Sequence, residues 1–169
     1  QENVCPGPLS KPKPDVYVCD FGRLFGGWGR IRLKGPEGEK ISVLYSPLLF
    51  EDTGLVDKRR HPPPKATDHY ILKGDPEGEV YEPRFTYHPV RYVQIEGYSG
   101  ELTPGDIVGR IIYSDVDMSG DFECSNSLIE RIHGNVVRTL TNELYGIPLD
   151  CLYREHWAWT DPAAITGTL

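Results

Sequence analysis

The chain has 169 residues, 38% of them hydrophobic and 25% charged, and Gly (18) with Pro (15) makes up close to one residue in five. Eighteen basic against 25 acidic side chains give a net charge of -7, which argues against a nucleic-acid backbone or an anionic membrane surface as partner. No stretch reaches the roughly 18–20 uninterrupted apolar residues of a membrane span, and the N-terminus lacks the basic-then-apolar pattern of a signal peptide.

Residues 1–14 carry Pro6, Pro8, Pro12 and Pro14 without apolar periodicity and read as an extended leader. Since the first residue is Gln1, a processed product or a fragment of something longer is expected. From Val16 the pattern has period two: Val16 and Val18, then Ile31 and Leu33, then Ile41, Val43 and Tyr45. Gly35-Pro36-Glu37-Gly38 and Gly74-Asp75-Pro76-Glu77-Gly78 separate such runs and read as hairpin connections. Further strands are expected at Tyr70–Leu72, Val80–Tyr81, Phe85–Tyr87, Tyr92–Ile95 and Ile107–Tyr113. Many short strands at this spacing predict a mainly β protein, an antiparallel, jelly-roll-like β-sandwich over residues 15–115.

The period then changes to that of a helix. Ser125-Asn126-Ser127 offers N-caps and Glu130 falls in the first turn, where the helix dipole favours a carboxylate. Leu128, Ile132, Val136, Leu140 and Leu144 recur every four residues, so residues 127–145 predict one amphipathic helix ending near Gly146 and Pro148. Its apolar face needs a partner surface, and self-association through it or disorder of the C-terminal third is expected.

Cys5, Cys19, Cys124 and Cys151 are too sparse for a disulfide scaffold and form no Cys-x-x-Cys pair. They read as unlinked thiols, with a Cys5–Cys19 bridge as the alternative in an oxidising compartment, and an extracellular location is the favoured one. The five histidines lack ligand spacing, so no metal site is expected. The glycines between Gly22 and Gly29 have no phosphate-binding context and suit turns. Lys58-Arg59-Arg60-His61 reads as a solvated basic loop, Trp28 as a core anchor, and His88 as a packed or rim residue.

The densest group of reactive side chains is Asp150-Cys151-Leu152-Tyr153-Arg154-Glu155-His156-Trp157-Ala158-Trp159-Thr160-Asp161. Carboxylates beside aromatic faces suit sugar chemistry, since rings stack on the apolar face of a pyranose and acids hydrogen-bond its hydroxyls; an acid of raised pKa can protonate a leaving oxygen. The bland alternative is a surface loop with anchored tryptophans and an exposed ion pair.

The chain resembles the inverting bacterial-type α-L-rhamnosidases along nearly its whole length. The residues that carry this are Asp20-Phe21-Gly22 with Gly27-Trp28; Ala66-Thr67-Asp68 with Tyr70 to Gly74; Tyr81-Glu82-Pro83-Arg84-Phe85-Thr86-Tyr87-His88 with Arg91-Tyr92-Val93; Phe122-Glu123-Cys124-Ser125-Asn126; and Asp150-Cys151 with Arg154-Glu155. The resemblance implies that residues 15–115 are the family's β-sandwich and that residues 116–169 begin a truncated (α/α)6 catalytic barrel. It implies Glu155 as general acid, Asp150 and Asp161 as binders of rhamnose hydroxyls, Trp159 lining the sugar site and Arg154 orienting the carboxylates. Rhamnose-containing glycosides or polysaccharides are then the expected substrates, with neither metal nor organic cofactor.

The pattern departs from the family's at three points: Leu152 replaces a Pro, Ala158 a Gly, and Asp161-Pro162 a Gly-Asp pair. Inversion also needs a second carboxylate roughly 6.5–9.5 Å from the acid, which the family places downstream of residue 169, so the chain alone is expected to be inert. The alternative function is a non-catalytic carbohydrate-binding or assembly module with a degenerate acid motif.

Overall fold

A computed structural model describes residues 2–59, 66–117, 120–152 and 157–158. They fall into two compact units, Gln1–Ile111 and Ile112–Leu169. The first unit is antiparallel β throughout, with β1 (Glu2–Val4), β2 (Leu9–Lys13), β3 (Val16–Leu33), β4 (Lys40–Ser46), β5 (Thr67–Ile71), β6 (Glu79–Tyr81), β7 (His88–Glu96) and β8 (Ile107–Ile111). The sheet runs β1-β8-β3-β7-β4-β5, with β2 and β6 also pairing β3. The proline-rich opening supplies two of these strands. Pro12 lies at the register break of β2 between Ser10 and Lys13, where its missing N–H costs no ladder bond.

The central feature is β3, 18 residues long. At about 3.3 Å per residue a straight strand of that length would run about 56 Å. It is bulged instead, with the same partner β7 on both sides of the irregularity. The Asp20 carboxylate accepts a hydrogen bond from the Gly22 amide at 2.7 Å, Gly22 takes φ +72°, and the register with β7 breaks between Asp20 and Phe25. Only Gly adopts that φ without strain. Tyr98 then ties the two ends together. Its hydroxyl accepts from the Lys34 amide and donates to the Lys34 carbonyl, both at 3.0 Å, while its ring lies 6.5 Å from that of Tyr17. The curled sheet closes on a core of Val18, Phe25, Ile31, Leu33, Ile41, Val43, Val93, Ile95 and Ile107, all at most 2% exposed.

Two sequence expectations change here. The turns at Gly35–Gly38 and Gly74–Gly78 exist, but neither is a hairpin. β3 pairs with β6, through Ile31–Leu33 and Tyr81–Glu79, while β4 pairs with β5. Each turn therefore carries the chain from one pair to the other, and the two abut: a Cβ on Gly74 would lie 2.9 Å from the Glu37 amide nitrogen. Glycine-proline chemistry dictates a reversal but not which strands become neighbours. The expected strand at Phe85–Tyr87 is a bend. Phe85 is fully exposed at φ +56°, a left-handed conformation that breaks the alternation its apolar neighbour suggests.

In the second unit α1 spans Ser127–Glu143, with Asn126 as N-cap accepting from the Leu128 amide at 3.0 Å. Glu130 accepts from the Cys124 amide at 3.2 Å. A two-residue ladder follows, β9 (Leu144–Tyr145) with β10 (Ile147–Pro148), turned by Gly146 at φ +77°. The helix ends where expected. Cys5, Cys19, Cys124 and Cys151 are free thiols, and burial pushes the Cys19 thiol up to about 12.

Candidate functional site

The residues of the first unit that carry the family resemblance form polar networks inside the sheet. Asp68 on β5 accepts from the Tyr81 hydroxyl at 2.8 Å and lies 3.0 Å from His88 Nε2. The His88 ring, buried on β7, stacks on Tyr45 at 4.2 Å, nearly parallel. Burial alone would raise the Asp68 carboxyl, but the hydrogen bond and charge of His88, with the Tyr81 hydroxyl, outweigh it and hold Asp68 below the usual carboxylate range. A second network centres on Glu82, just after β6. It accepts from Trp28 Nε1 at 3.2 Å and Arg110 Nε at 3.1 Å, and pairs with Arg30 at 3.3 Å. Trp28 is thus an anchored core residue, 8% exposed. These groups join strands to one another. Arg59, from the basic loop, folds onto Asp57 with two side-chain bonds of 3.1 and 2.9 Å.

The reactive segment of the sequence follows β10, and the structure describes residues 150–152 and 157–158 of it. Asp150 and Trp157 exchange two hydrogen bonds: the Asp150 amide donates to the Trp157 carbonyl at 2.9 Å, and the Trp157 amide donates to Asp150 Oδ1 at 3.0 Å. The residues before Asp150 are fixed in turn. The Leu149 amide donates to the Glu143 carbonyl at 2.8 Å, the Ser114 amide to the Leu144 carbonyl at 2.7 Å, and the Gly146 amide to Ser114 Oγ at 2.8 Å. Leu149 and Leu152 are buried at 4% and 5% exposure, so the Leu that departs from the family pattern at 152 is a packed side chain. Arg154, Glu155, Trp159 and Asp161 lie outside the described residues, as do Tyr153, His156 and Pro162.

One carboxylate here escaped the sequence reading. Burial, and then the negative charge of Asp150, push the Glu143 carboxyl up. Its signal in the sequence is an acid in the last helical turn, where the dipole disfavours it. Beside the start of α1, Asp121, Phe122, Glu123, His133 and Arg138 line an open cleft of about 540 Å³, with the Phe122 ring stacked on His133 at 4.7 Å. Among the described residues no group of three His, Cys, Asp or Glu is arranged to hold a metal ion, and no helix is long and apolar enough to cross a membrane.

Comparison with known proteins matches both units in order. Residues 10–113 match the bacterial alpha-L-rhamnosidase concanavalin-like domain and residues 117–168 the bacterial alpha-L-rhamnosidase 6 hairpin glycosidase domain. An alpha-L-rhamnosidase of Streptomyces avermitilis is 31% identical over 153 residues, 90% of this chain and 15% of that protein. One of Formosa agariphila is 30% identical over 168 residues, 94% of this chain and 17% of the relative. The alpha-L-rhamnosidase structure from Dictyoglumus thermophilum superposes with a TM-score of 0.86 at 39% identity, covering 92% of this chain and 18% of that one. The Streptomyces avermitilis enzyme complexed with L-rhamnose gives 0.86 at 29%, covering 95% and 16%. The chain therefore spans less than a fifth of the length of these relatives, yet matches two domains of their family in succession: it belongs to the bacterial α-L-rhamnosidase family.

Proposed function

We propose that these residues supply the sheet domain and the acid-bearing opening of the catalytic domain of an inverting α-L-rhamnosidase, which releases terminal rhamnose from glycosides or polysaccharides. The observation that carries the reading is the succession of the two family domains, 10–113 then 117–168, with the Asp-Cys and Arg-Glu pairs of the acid motif standing at 150–151 and 154–155. Glu155 donates the proton to the departing glycosidic oxygen. Arg154 orients the carboxylates, Trp159 stacks on the sugar and Asp161 takes its hydroxyls. A water activated by a second carboxylate attacks the opposite face of the ring.

The experiment is Glu155→Gln in the complete hydrolase. General-acid catalysis contributes about 10²–10⁴-fold, so turnover of a rhamnosyl disaccharide falls by that order, while an aryl α-L-rhamnoside, whose leaving group needs little protonation, falls far less. Equal activity of variant and parent on the disaccharide would overturn the assignment.

A second reading rests on the departures at Leu152, Ala158 and Pro162: a module that binds carbohydrate, or only assembles, without hydrolysis. Titration with L-rhamnose while following Trp fluorescence separates the two cases within it. Saturable quenching means a retained sugar site, and no change means an assembly role.

A further inference from the structure

Among the described residues, Phe85 combines two features that a fold does not need. Its ring is fully exposed, and its backbone sits at φ +56°, where every other residue of positive φ is a glycine. A bulky residue held there is strained, and the conformation persists only where its surroundings impose it. Phe85 lies in the connection 82–87 between β6 and β7, and the residues flanking that connection meet on a single atom. The Tyr81 hydroxyl donates to Asp68 Oδ2 at 2.8 Å, and His88 Nε2 lies 3.0 Å from the same oxygen. Glu82, the first residue of the connection, is held by Trp28 Nε1 at 3.2 Å, Arg110 Nε at 3.1 Å and Arg30 at 3.3 Å. Both roots are fixed to the sheet, and the ring stands in water between them.

The neighbours of Phe85 decide what it suits. Arg84 is exposed and Thr86 is half-buried, so in the chain the ring is flanked by hydrogen-bonding side chains and not by further apolar ones. The centre of a protein interface calls for a contiguous apolar patch. A pyranose calls for something smaller: one flat apolar surface for its C–H face, with donors near its edge for the hydroxyls. A ring on a fixed root also loses little freedom when it is covered.

We propose that Phe85 is a sugar-binding platform on the sheet domain, on which a pyranose stacks while the Arg84 guanidinium donates to its hydroxyls. The choice of a rhamnoside as the sugar rests on the function proposed above; the platform does not.

Fluorine NMR tests this in the full chain carrying fluorophenylalanine at position 85, which keeps the ring and reports on that site alone. Methyl α-L-rhamnoside shifts the resonance saturably in the millimolar range, sorbitol, which has no ring face, leaves it unmoved, and Arg84→Ala weakens the saturable shift at least about threefold. No saturable shift with the rhamnoside, or the same drift with sorbitol, overturns the platform. A resonance that moves with protein concentration and not with sugar marks a contact between copies and overturns it too. An unchanged affinity in Arg84→Ala overturns the part given to the guanidinium. Phe85→Gly, which relieves the backbone strain, leaves the urea midpoint unchanged or raises it; a marked fall would make Phe85 a packing residue and overturn the proposal. Should Glu155→Gln prove fully active, the hydrolase reading fails, while the fluorine titration still decides whether the platform exists.

Discussion

Asp68 shows how the sheet keeps an acid ionised inside it. Its carboxylate takes a phenol O–H and an imidazole nitrogen, from β6 and β7, at 2.8 and 3.0 Å, so Asp68→Asn removes the charge from two bonds at once. Hydrogen bonds to charged groups contribute about 1.5–3 kcal/mol each before the neutral replacements are counted, which sets the expected loss at about 1–3 kcal/mol, read from urea unfolding near neutral pH. The sign of the pH dependence follows from the lowered folded pKa. The contribution is complete above the ordinary carboxylate value of 3.8 and is lost as pH falls through the lower, folded value. The gap between parent and variant therefore narrows below about pH 4, and a gap that widened there would contradict the assignment. Of these residues the sequence disclosed the types and positions, not the partnerships. Asp68, Tyr81 and His88 stand far apart in the chain, and only the pairing of β5, β6 and β7 around the core brings them together. At 150–161 the reverse holds, since the reactive residues are consecutive and composition alone marked them. Glu143 was hidden because it stands at the end of a helix whose apolar stripe drew the reading.

Among the elements, the period-two runs revealed β4, β7 and β8, and the four-residue recurrence revealed α1 almost to its ends. β3 was legible only in pieces. Its glycines interrupt the alternation, and two of them do opposite things. A Cβ on Gly27 would lie 1.8 Å from the Arg110 carbonyl oxygen on β8, whereas on Gly29 the nearest heavy atom would be at 3.7 Å, a Val93 methyl. Gly27→Ala must therefore push β8 off its register with β3 and is expected to cost about 3 kcal/mol, while Gly29→Ala costs under about 1 kcal/mol. Urea unfolding of the two variants side by side checks this, and equal losses would show that the β3-β8 contact is looser than described. The misread hairpins have the same origin as the misread strand at Phe85–Tyr87. Local chemistry reports where a chain turns, and partner choice is a property of the sheet.

For the whole molecule, the exposed stripe on α1 matters most. Leu128, Ile132 and Val136 are 54%, 53% and 47% exposed, a larger contiguous apolar face than a helix usually leaves to water. The 169-residue chain by itself is expected to self-associate at micromolar concentration, and Ile132→Lys with Val136→Lys to weaken it. Light scattering at the 19.1 kDa of one chain for the parent would refute this. The legible part at this scale was a β-rich stretch followed by one helix, since the change of period near residue 120 is written in the sequence. How β3 curls was not, because it depends on Tyr98 meeting Lys34.

That curl keeps the sheet in one piece around β3. One continuous strand is hydrogen-bonded to β2 and β7 over its first part and to β8 and β6 over its last, so neither half of the unit can melt while the other persists. An all-or-none transition is the consequence, and an otherwise modest insult anywhere along Val16–Leu33 is felt by the entire β unit.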